Sequence, residues 1–410
     1  MKHDYQQDID RYELALADAR QKGDRHAEAE SLGSLGEAYY GAHNQTRTLS
    51  CHQQAVEIAR ELGDKQIEAE NLGNLGRAYW HQKDQDQAIR CYQQALDIAR
   101  ESGNRVDEAK CLSWIGVAYN FKHDCQQAIH YFEEALTVNR AIGHRSSEGH
   151  NLVNLGLAYR SLGDYERFMQ CAKESLAIHQ SLGERWGESR TLGLLASTNQ
   201  SLGNLRQAID YYEQALAAAR EINHYTFQAN FSRELGDLYM NGSNMECAKQ
   251  YFEESLAAAR QNGDTEREEA ALRRLGRLNK TPVGWEQAFQ HTEQALAVAR
   301  ESGNRRAQGN HLYSLGMLYL RLDKVPEAIQ KCESALAIAR EIQDATDEGI
   351  ALRGLGLIYE NQRDFLTALS YMQQSLAVLR TTRATTFAGS IETHMTELRR
   401  KMGGDIPGRV

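Results

Sequence analysis

A set of basic residues offers the clearest chemistry in the sequence. Its members are spaced along the second half of the chain, four of them within eight residues: Arg233, Arg273, Arg274, Arg277, Lys280 and Arg353. A guanidinium group binds a carboxylate through two parallel hydrogen bonds, so a row of them favours an acidic or C-terminal peptide segment. The alternative is a solvated helix face, with arginine stems over apolar surface and heads paired with Glu234 or Asp237.

Aromatic residues form a second candidate site in the first half of the chain. They are Tyr40, Trp80, Trp114 and Phe121. Aromatic side chains are common anchors of protein interfaces. Asn74 and Asn154 are candidate clamps for a peptide backbone, because an amide offers both a donor and an acceptor. The alternative for Trp114 is packing against its neighbours within the fold.

Motifs for catalysis or metal binding are missing from the sequence. There is no glycine-rich phosphate loop, no nucleophile elbow and no His-Glu-x-x-His motif. The 14 histidines are dispersed, and His144 and His150 are six apart, whereas two ligands on one helix face need three or four. We therefore expect a non-enzymatic protein without a cofactor or metal.

Composition narrows the class of protein further. Only three of the 410 residues are proline, which favours long helices, since proline disrupts helix interiors. The net charge of −9 argues against nucleic acid as the main ligand. No apolar run is long enough to span a membrane, and the N-terminus has no secretory signal. Seven scattered cysteines indicate a reducing, cytoplasmic location.

A forty-residue repeat runs without a gap from residue 21 to residue 380. In the second block Leu72, Leu75, Gly76 and Tyr79 fall at i, i+3, i+4 and i+7, which is one helical face. Each block is predicted to form two helices, at roughly 27–41 and 46–61 in the first block. Glycine follows the second helix where positive φ is needed, and Asp or Asn comes next as an N-cap.

The recurring small residues predict close contact between the two helices of a block. Glycine follows the recurring Leu or Ile in eight of nine blocks: Gly36, Gly76, Gly116, Gly156, Gly236, Gly276, Gly316 and Gly356. Without a Cβ at this place, two helix backbones can approach closely. One such hairpin cannot bury its own apolar face, but a stack of hairpins forms a continuous core.

These residues resemble the tetratricopeptide repeat. The family pattern of Leu-Gly, Tyr, Ala, an aromatic residue and Ala is matched by Leu75-Gly76, Tyr79, Ala88, Tyr92 and Ala95. The usual repeat has 34 residues, whereas this one has forty and carries Arg100 where the family has proline. Long repeats of this kind are similar to those of G-protein-signalling-modulator scaffolds and many bacterial proteins. The resemblance implies an all-α, right-handed superhelical solenoid of antiparallel helix pairs, in one continuous domain.

The resemblance also implies a scaffold that binds a peptide or helical segment of a partner protein in a concave groove lined by the first helices. Carried onto this sequence, the groove positions include Asn74, Arg77, Trp80, Trp114, Asn154, Arg190, Arg233, Arg273, Arg274, Arg277, Lys280, Tyr313 and Arg353. The alternatives are a sensor solenoid that controls a separate effector, or a protein that self-assembles through its terminal helices.

The two ends depart from the full repeat. Residues 1–20 match only the second half of a block and predict an unpaired helix. Residues 381–402 predict a terminal capping helix, with Phe387, Ile391, Met395 and Leu398 on one face. We expect residues 403–410 to form a flexible tail. Together with nine two-helix blocks, this predicts twenty helices.

Overall fold

A computed structural model describes residues 5–278, 285–380, 382 and 385–404. Within these residues the chain forms twenty α-helices and no strand. The helices are α1 (Tyr5–Lys22), α2 (Arg25–Gly41), α3 (Gln45–Leu62), α4 (Lys65–His81), α5 (Gln85–Glu101), α6 (Arg105–Phe121), α7 (Cys125–Ala141), α8 (Arg145–Ser161), α9 (Tyr165–Leu182), α10 (Arg185–Ser201), α11 (Leu205–Glu221), α12 (Tyr225–Asn241), α13 (Met245–Asn262), α14 (Thr265–Leu278), α15 (Trp285–Glu301), α16 (Arg305–Arg321), α17 (Val325–Glu341), α18 (Ala345–Asn361), α19 (Phe365–Leu379) and α20 (Thr385–Gly404). The predicted all-α class is confirmed. Across the described ranges, no helix is both long enough and apolar enough to cross a bilayer.

Two compact units divide the chain, residues 1–208 and residues 209–410. In each unit, helices that are consecutive in sequence pack against each other, and the even-numbered helices from α2 to α18 are the first helices of the nine repeats. The last helix, α20, packs on α19 and buries Ile391, Met395 and Leu398. The side chain of Phe387 lies outside the described residues.

The turns that join the helices repeat as regularly as the helices. Gly63 ends α3 at φ 71°, and the carboxylate of Asp64 accepts a hydrogen bond of 3.0 Å from the Ile67 amide. This confirms the predicted glycine stop and acidic N-cap. The turn after the first helix also needs positive φ, which the sequence did not indicate. Non-glycine residues hold it in six repeats: His43, Lys83, His123, Ser243, Asp323 and Arg363.

The recurring glycine makes room for a side chain of the second helix. A Cβ at Gly76 would lie 2.4 Å from Cε1 of Tyr92, and one at Gly116 would lie 2.7 Å from Cε1 of Phe132. Both rings are buried in the core, together with residues such as Leu112. The close contact that the small residues predict is therefore mainly a contact between an aromatic ring and a backbone.

The cysteines are free and packed into the core. Cys51, Cys91, Cys111, Cys125, Cys171 and Cys332 are buried, and Cys247 is partly buried. Burial raises the pKa of the Cys91 thiol to about 11. Such thiols are protonated at neutral pH and act as small apolar side chains.

A recurrent ion pair joins neighbouring repeats. An arginine near the end of a second helix donates through Nε to a glutamate in the first turn of the next first helix. The pairs are Arg20–Glu28, Arg60–Glu68, Arg100–Glu108, Arg140–Glu148, Arg260–Glu268 and Arg340–Glu348, with distances of 2.8, 2.7, 3.2, 2.8, 2.7 and 2.8 Å. Each of these arginines thus interacts with a specific carboxylate as well as with the dipole of its own helix.

Candidate functional site

An aromatic surface, defined by Trp80, Trp114 and Phe121, lies on the first helices α4 and α6 of the first unit. The rings of Trp80 and Phe121 meet edge to face, with centroids 4.4 Å apart and planes at 87°. Phe121 is 61% exposed. The two residues lie on adjacent first helices, so the partly buried ring of Trp80 and the exposed ring of Phe121 form one apolar contact between repeats.

Trp114 packs within the repeat stack and is accessible as well. A Cβ at Gly73 would lie 3.2 Å from Cζ3 of Trp114, so the indole covers this glycine. The rings of Tyr92 and Trp114 have centroids 5.3 Å apart. Nevertheless, 39% of Trp114 is exposed. One side of the indole therefore packs against neighbouring residues, as the alternative interpretation expected, and the other side is accessible from solvent.

Trp114 lines two cavities of the first unit. One has a volume of about 730 Å³ and is also lined by Gly73 and Asn74. The second has a volume of about 270 Å³ and is lined by Asn139 and Asn154 among others. The structure thus brings Trp114 together with Asn74 in one cavity and with Asn154 in the other.

The two arginines predicted on this unit each lie near an aromatic ring. The Arg77 guanidinium lies over the Tyr40 ring, 4.5 Å from its centroid, and pairs with Glu37. The guanidinium of Arg190 lies 5.7 Å from the Trp186 ring centroid, and burial lowers the pKa of Arg190. Because Arg77 already pairs with Glu37, it is less available to an acidic ligand than an unpaired arginine would be.

The N-terminal cavity of the first unit is acidic. It has a volume of about 860 Å³, and five carboxylates line it: Asp8, Glu30, Glu37, Asp64 and Glu70. One of them, Asp64, lies 3.3 Å from Nε2 of His26. Unpaired carboxylates among them would repel an acidic segment at this cavity.

In the second unit, two of the predicted arginines are paired with acidic neighbours. Arg233 forms ion pairs with Glu234 and, at 3.4 Å, with Asp237. Arg274 donates from Nε to both carboxylate oxygens of Asp237, at 2.8 and 3.0 Å. These two residues therefore pair with the acidic neighbours named in the alternative interpretation, although their side chains are partly buried.

Arg273 and Arg277 are different. The Nε atom of Arg273 is buried without a hydrogen-bond partner, and neither residue forms an ion pair within the part of the chain that the structure describes. The pKa of Arg273 is lowered, first by burial and then by the positive charges of Arg277 and Arg274. Arg277 is exposed. On α14 this pair is therefore the part of the basic set whose charges are not paired with a described carboxylate. Lys280 lies outside the described residues.

Tyr313 and Arg353 lie on neighbouring first helices of the second unit. A Cβ at Gly354 would lie 2.7 Å from Cε2 of Tyr313, so the ring packs over this glycine. Burial raises the pKa of Tyr313. Arg353 is half-buried and forms no ion pair with any described residue. Tyr313 is therefore mainly a packing residue. Its ring covers Gly354 in the same way as the indole of Trp114 covers Gly73.

Two polar residues that the sequence analysis missed lie on second helices. Asn139 and His179 occupy a place where seven other helices have alanine: Ala19, Ala59, Ala99, Ala219, Ala259, Ala299 and Ala339. Asn139 is 1% exposed, and neither its Oδ1 nor its Nδ2 has a hydrogen-bond partner. His179 is buried, with Nδ1 2.7 Å from Oε2 of Glu184. The sequence signal for both residues is the break in the recurring alanine at this position of the second helix.

Comparisons with known proteins bear on the fold. A family model described as tetratricopeptide repeat matches residues 46–101, 151–221 and 306–381. A model of anaphase-promoting complex subunit 5 matches residues 78–155 and 198–282. No curated protein gives a significant match.

Two solved structures share the fold at low sequence identity. A signal-transduction ATPase with a tetratricopeptide-repeat sensor, from Pyrococcus horikoshii, is 14% identical with a TM-score of 0.61. The match covers 90% of this chain and 55% of that protein. Aspartyl phosphate phosphatase F from Bacillus subtilis is 12% identical with a TM-score of 0.52, and the match covers 82% of this chain and 91% of that protein.

The helix pairs and the surfaces on their first helices define an all-α repeat protein with the architecture of a protein-interaction scaffold. The chain is a tetratricopeptide-repeat protein.

Proposed function

We propose that this protein is a non-enzymatic scaffold whose first-helix surfaces bind an extended or helical segment of a partner protein. The single observation that carries the proposal is Trp114, which is 39% exposed and lines two cavities. An indole held by packing on one side loses little freedom on binding, and such rigid aromatic residues are frequent binding hot spots.

The aromatic surface is the principal anchor in this proposal. Trp80 and Phe121 supply apolar area, Phe121 about two helical turns from Trp114 on α6. The amides of Asn74 and Asn154 supply polar groups in the two cavities. Such a combination suits a segment with one or two apolar side chains and free backbone amides.

In the second unit, Arg273 and Arg277 are proposed to bind an acidic group of a partner. Their guanidinium groups are not neutralised by any described acidic side chain, whereas those of Arg233 and Arg274 are. A carboxylate would relieve the mutual repulsion of Arg273 and Arg277.

A peptide-display selection on the purified protein tests the aromatic surface. Peptides selected by the wild-type chain should bind Trp114→Asn at least roughly tenfold more weakly, because hot-spot truncation costs more than about 1.4 kcal/mol. Asparagine is the residue found at this place in the second and fourth repeats, as Asn74 and Asn154. Leu14→Asn is the matched control, since Leu14 is 73% exposed and lies on α1, away from these helices. Equal binding by all three proteins, with unchanged circular dichroism, would refute the proposed surface.

The basic pair has its own test. Peptides with a carboxyl-rich end, selected in the same way, should lose binding to the double variant Arg273→Glu/Arg277→Glu. The double variant Arg399→Glu/Arg400→Glu is the control, because it makes the same charge change at exposed positions of α20. If the two double variants weaken binding equally, the effect is one of net charge and the proposed pair is not a site.

A further inference from the structure

One cavity of the first unit is lined by Asn139. Its volume is about 270 Å³. That is slightly below the range of roughly 300–1,000 Å³ typical of sites for whole small molecules. The lining includes Trp114, Val117, Asn139, His150, Asn151 and Asn154. Its size suits a single side chain of a bound peptide better than a cofactor.

Asn139 is the unusual member of this lining. Its side chain is 1% exposed, yet both amide atoms lack a hydrogen-bond partner. Buried polar groups are nearly always paired, so each exception calls for an explanation. The same place is alanine in most of the second helices, for example Ala99 in the preceding repeat. The fold therefore does not require a polar side chain there.

The unpaired atoms specify the chemistry of the group that would pair with them. Nδ2 can only donate and Oδ1 can only accept, and both lie on one planar amide. A carboxylate only accepts and an ammonium group only donates, so neither can pair with both atoms. A primary amide has the same donor and acceptor in one plane and can form two hydrogen bonds with Asn139.

The rest of the lining is compatible with a neutral guest. The amine of Lys110 pairs with Asp107 at 3.0 Å, and Nδ1 of His150 lies 2.9 Å from the Ser146 carbonyl oxygen. Val117 and the indole of Trp114 offer apolar surface for a short methylene stem. No unpaired carboxylate is among the residues that line this cavity.

We infer that the Asn139 cavity is a subsite for a primary-amide side chain, glutamine or asparagine, of the bound partner segment. This inference rests on the proposed function, because it assigns one side-chain specificity to the surface around Trp114. The guest amide pairs with both atoms of Asn139, and its methylene stem packs against Trp114.

The test uses small probes that share the same backbone amides and differ in the side chain. They are N-acetylglutamine N-methylamide, N-acetylglutamate N-methylamide and N-acetylmethionine N-methylamide. The protein is labelled with 5-fluorotryptophan, and Trp114→Phe assigns the fluorine signal of Trp114 among the four tryptophans. The glutamine probe should shift this signal saturably and bind about tenfold or more tightly than the other two, since they lack one or both hydrogen bonds.

The matched variant is Asn139→Ala, which gives the third repeat the alanine that the second repeat has at Ala99 and should fold normally. It should bind all three probes equally weakly. Equal binding of the three probes to wild type, a glutamine preference that survives in Asn139→Ala, or no shift with any probe would each overturn the inference. An ordered water bonded to both amide atoms in a crystal soaked with the glutamine probe would do the same.

These outcomes separate the inference from the proposed function. If selected peptides depend on Trp114 but show no glutamine or asparagine preference, the scaffold role stands and the amide subsite falls. If the glutamine probe binds but no peptide does, the proposed function falls and the cavity is a site for small amides.

Discussion

Nε of Arg140 donates a hydrogen bond of 2.8 Å to Oε1 of Glu148, a carboxylate that is only 2% exposed. Arg145 holds the second oxygen of Glu148, and Nη2 of Arg140 reaches Oε1 of Glu174 at 2.7 Å. One arginine therefore connects α7 with both helices of the next repeat. Because the buried carboxylate has two cationic partners, its desolvation is compensated.

Replacing Glu148 should show how much its ion pairs contribute to the free energy of unfolding. We expect Glu148→Ala to lower the free energy of unfolding by about 2 kcal/mol, because two charge-assisted hydrogen bonds are lost. Glu148→Gln should cost less. Glutamine occupies this place in other repeats, where Gln308 donates to the carbonyl oxygen of Ala299 at 2.9 Å. Urea unfolding measures both, with the exposed Asp97→Ala as the control; equal losses for the alanine and glutamine variants would contradict this account.

The contact between Gly116 and the Phe132 ring leads to a second prediction. A Cβ at Gly116 would lie 2.7 Å from Cε1 of Phe132, whose side chain is fully buried and cannot move aside. Gly116→Ala should therefore destabilise the protein by about 1–3 kcal/mol, despite the better helix propensity of alanine. Gly389→Ala is the control, since nothing lies within 4 Å of its Cβ. Thermal unfolding should show a lower midpoint for the first variant only, and Phe132→Leu should restore part of the loss in the double variant.

Buried histidines should make stability depend on pH. Burial lowers the pKa of His52, His150 and His291 from the ordinary value of 6.5. The unfolded chain then binds protons at a higher pH than the folded chain, so stability is full above 6.5 and falls as the pH drops through the window below it. The pKa of Glu28 is lowered from 4.5, so the stability it contributes is lost only at a lower pH.

A variant can assign part of this pH dependence. His52→Phe places a ring like that of Phe132 over the repeat glycine and removes one titrating group. Urea midpoints at about pH 7.5 and about pH 5.5 should differ less for the variant than for the wild type. An unchanged difference would mean that His52 does not contribute to the loss of stability.

Asn139 should lower the stability of the fold. Asn139→Ala is expected to raise the free energy of unfolding by about 1 kcal/mol, because a buried amide without partners is removed. The reverse exchange, Ala99→Asn, should lower stability by roughly 2 kcal/mol at the equivalent place in another repeat. Chemical denaturation of both variants measures the two values. A loss of stability in Asn139→Ala would show that its amide is satisfied in solution.

The helices and their caps could be predicted from sequence because they depend on local patterns. Gly63 and Asp64 mark a helix boundary by their own conformational preferences, whatever lies nearby. The candidate site was harder to predict because the availability of a charge depends on its neighbours in space. Arg274 and Arg277 are three residues apart on α14. Of the two, only Arg274 forms a hydrogen bond with Asp237, which lies 37 residues earlier in the chain.

The uniform turns have a consequence for how the chain can be shortened or lengthened. Gly63 and Gly103 end successive second helices at φ 71° and 70°, and Asp64 and Asn104 cap the helices that follow. Excising residues 64–103 would join Gly63 to Asn104 and recreate the same glycine–Asx junction. Arg60 would then face Glu108 as it now faces Glu68. The protein is in this sense modular, and whole repeats are its natural units of deletion, duplication and exchange.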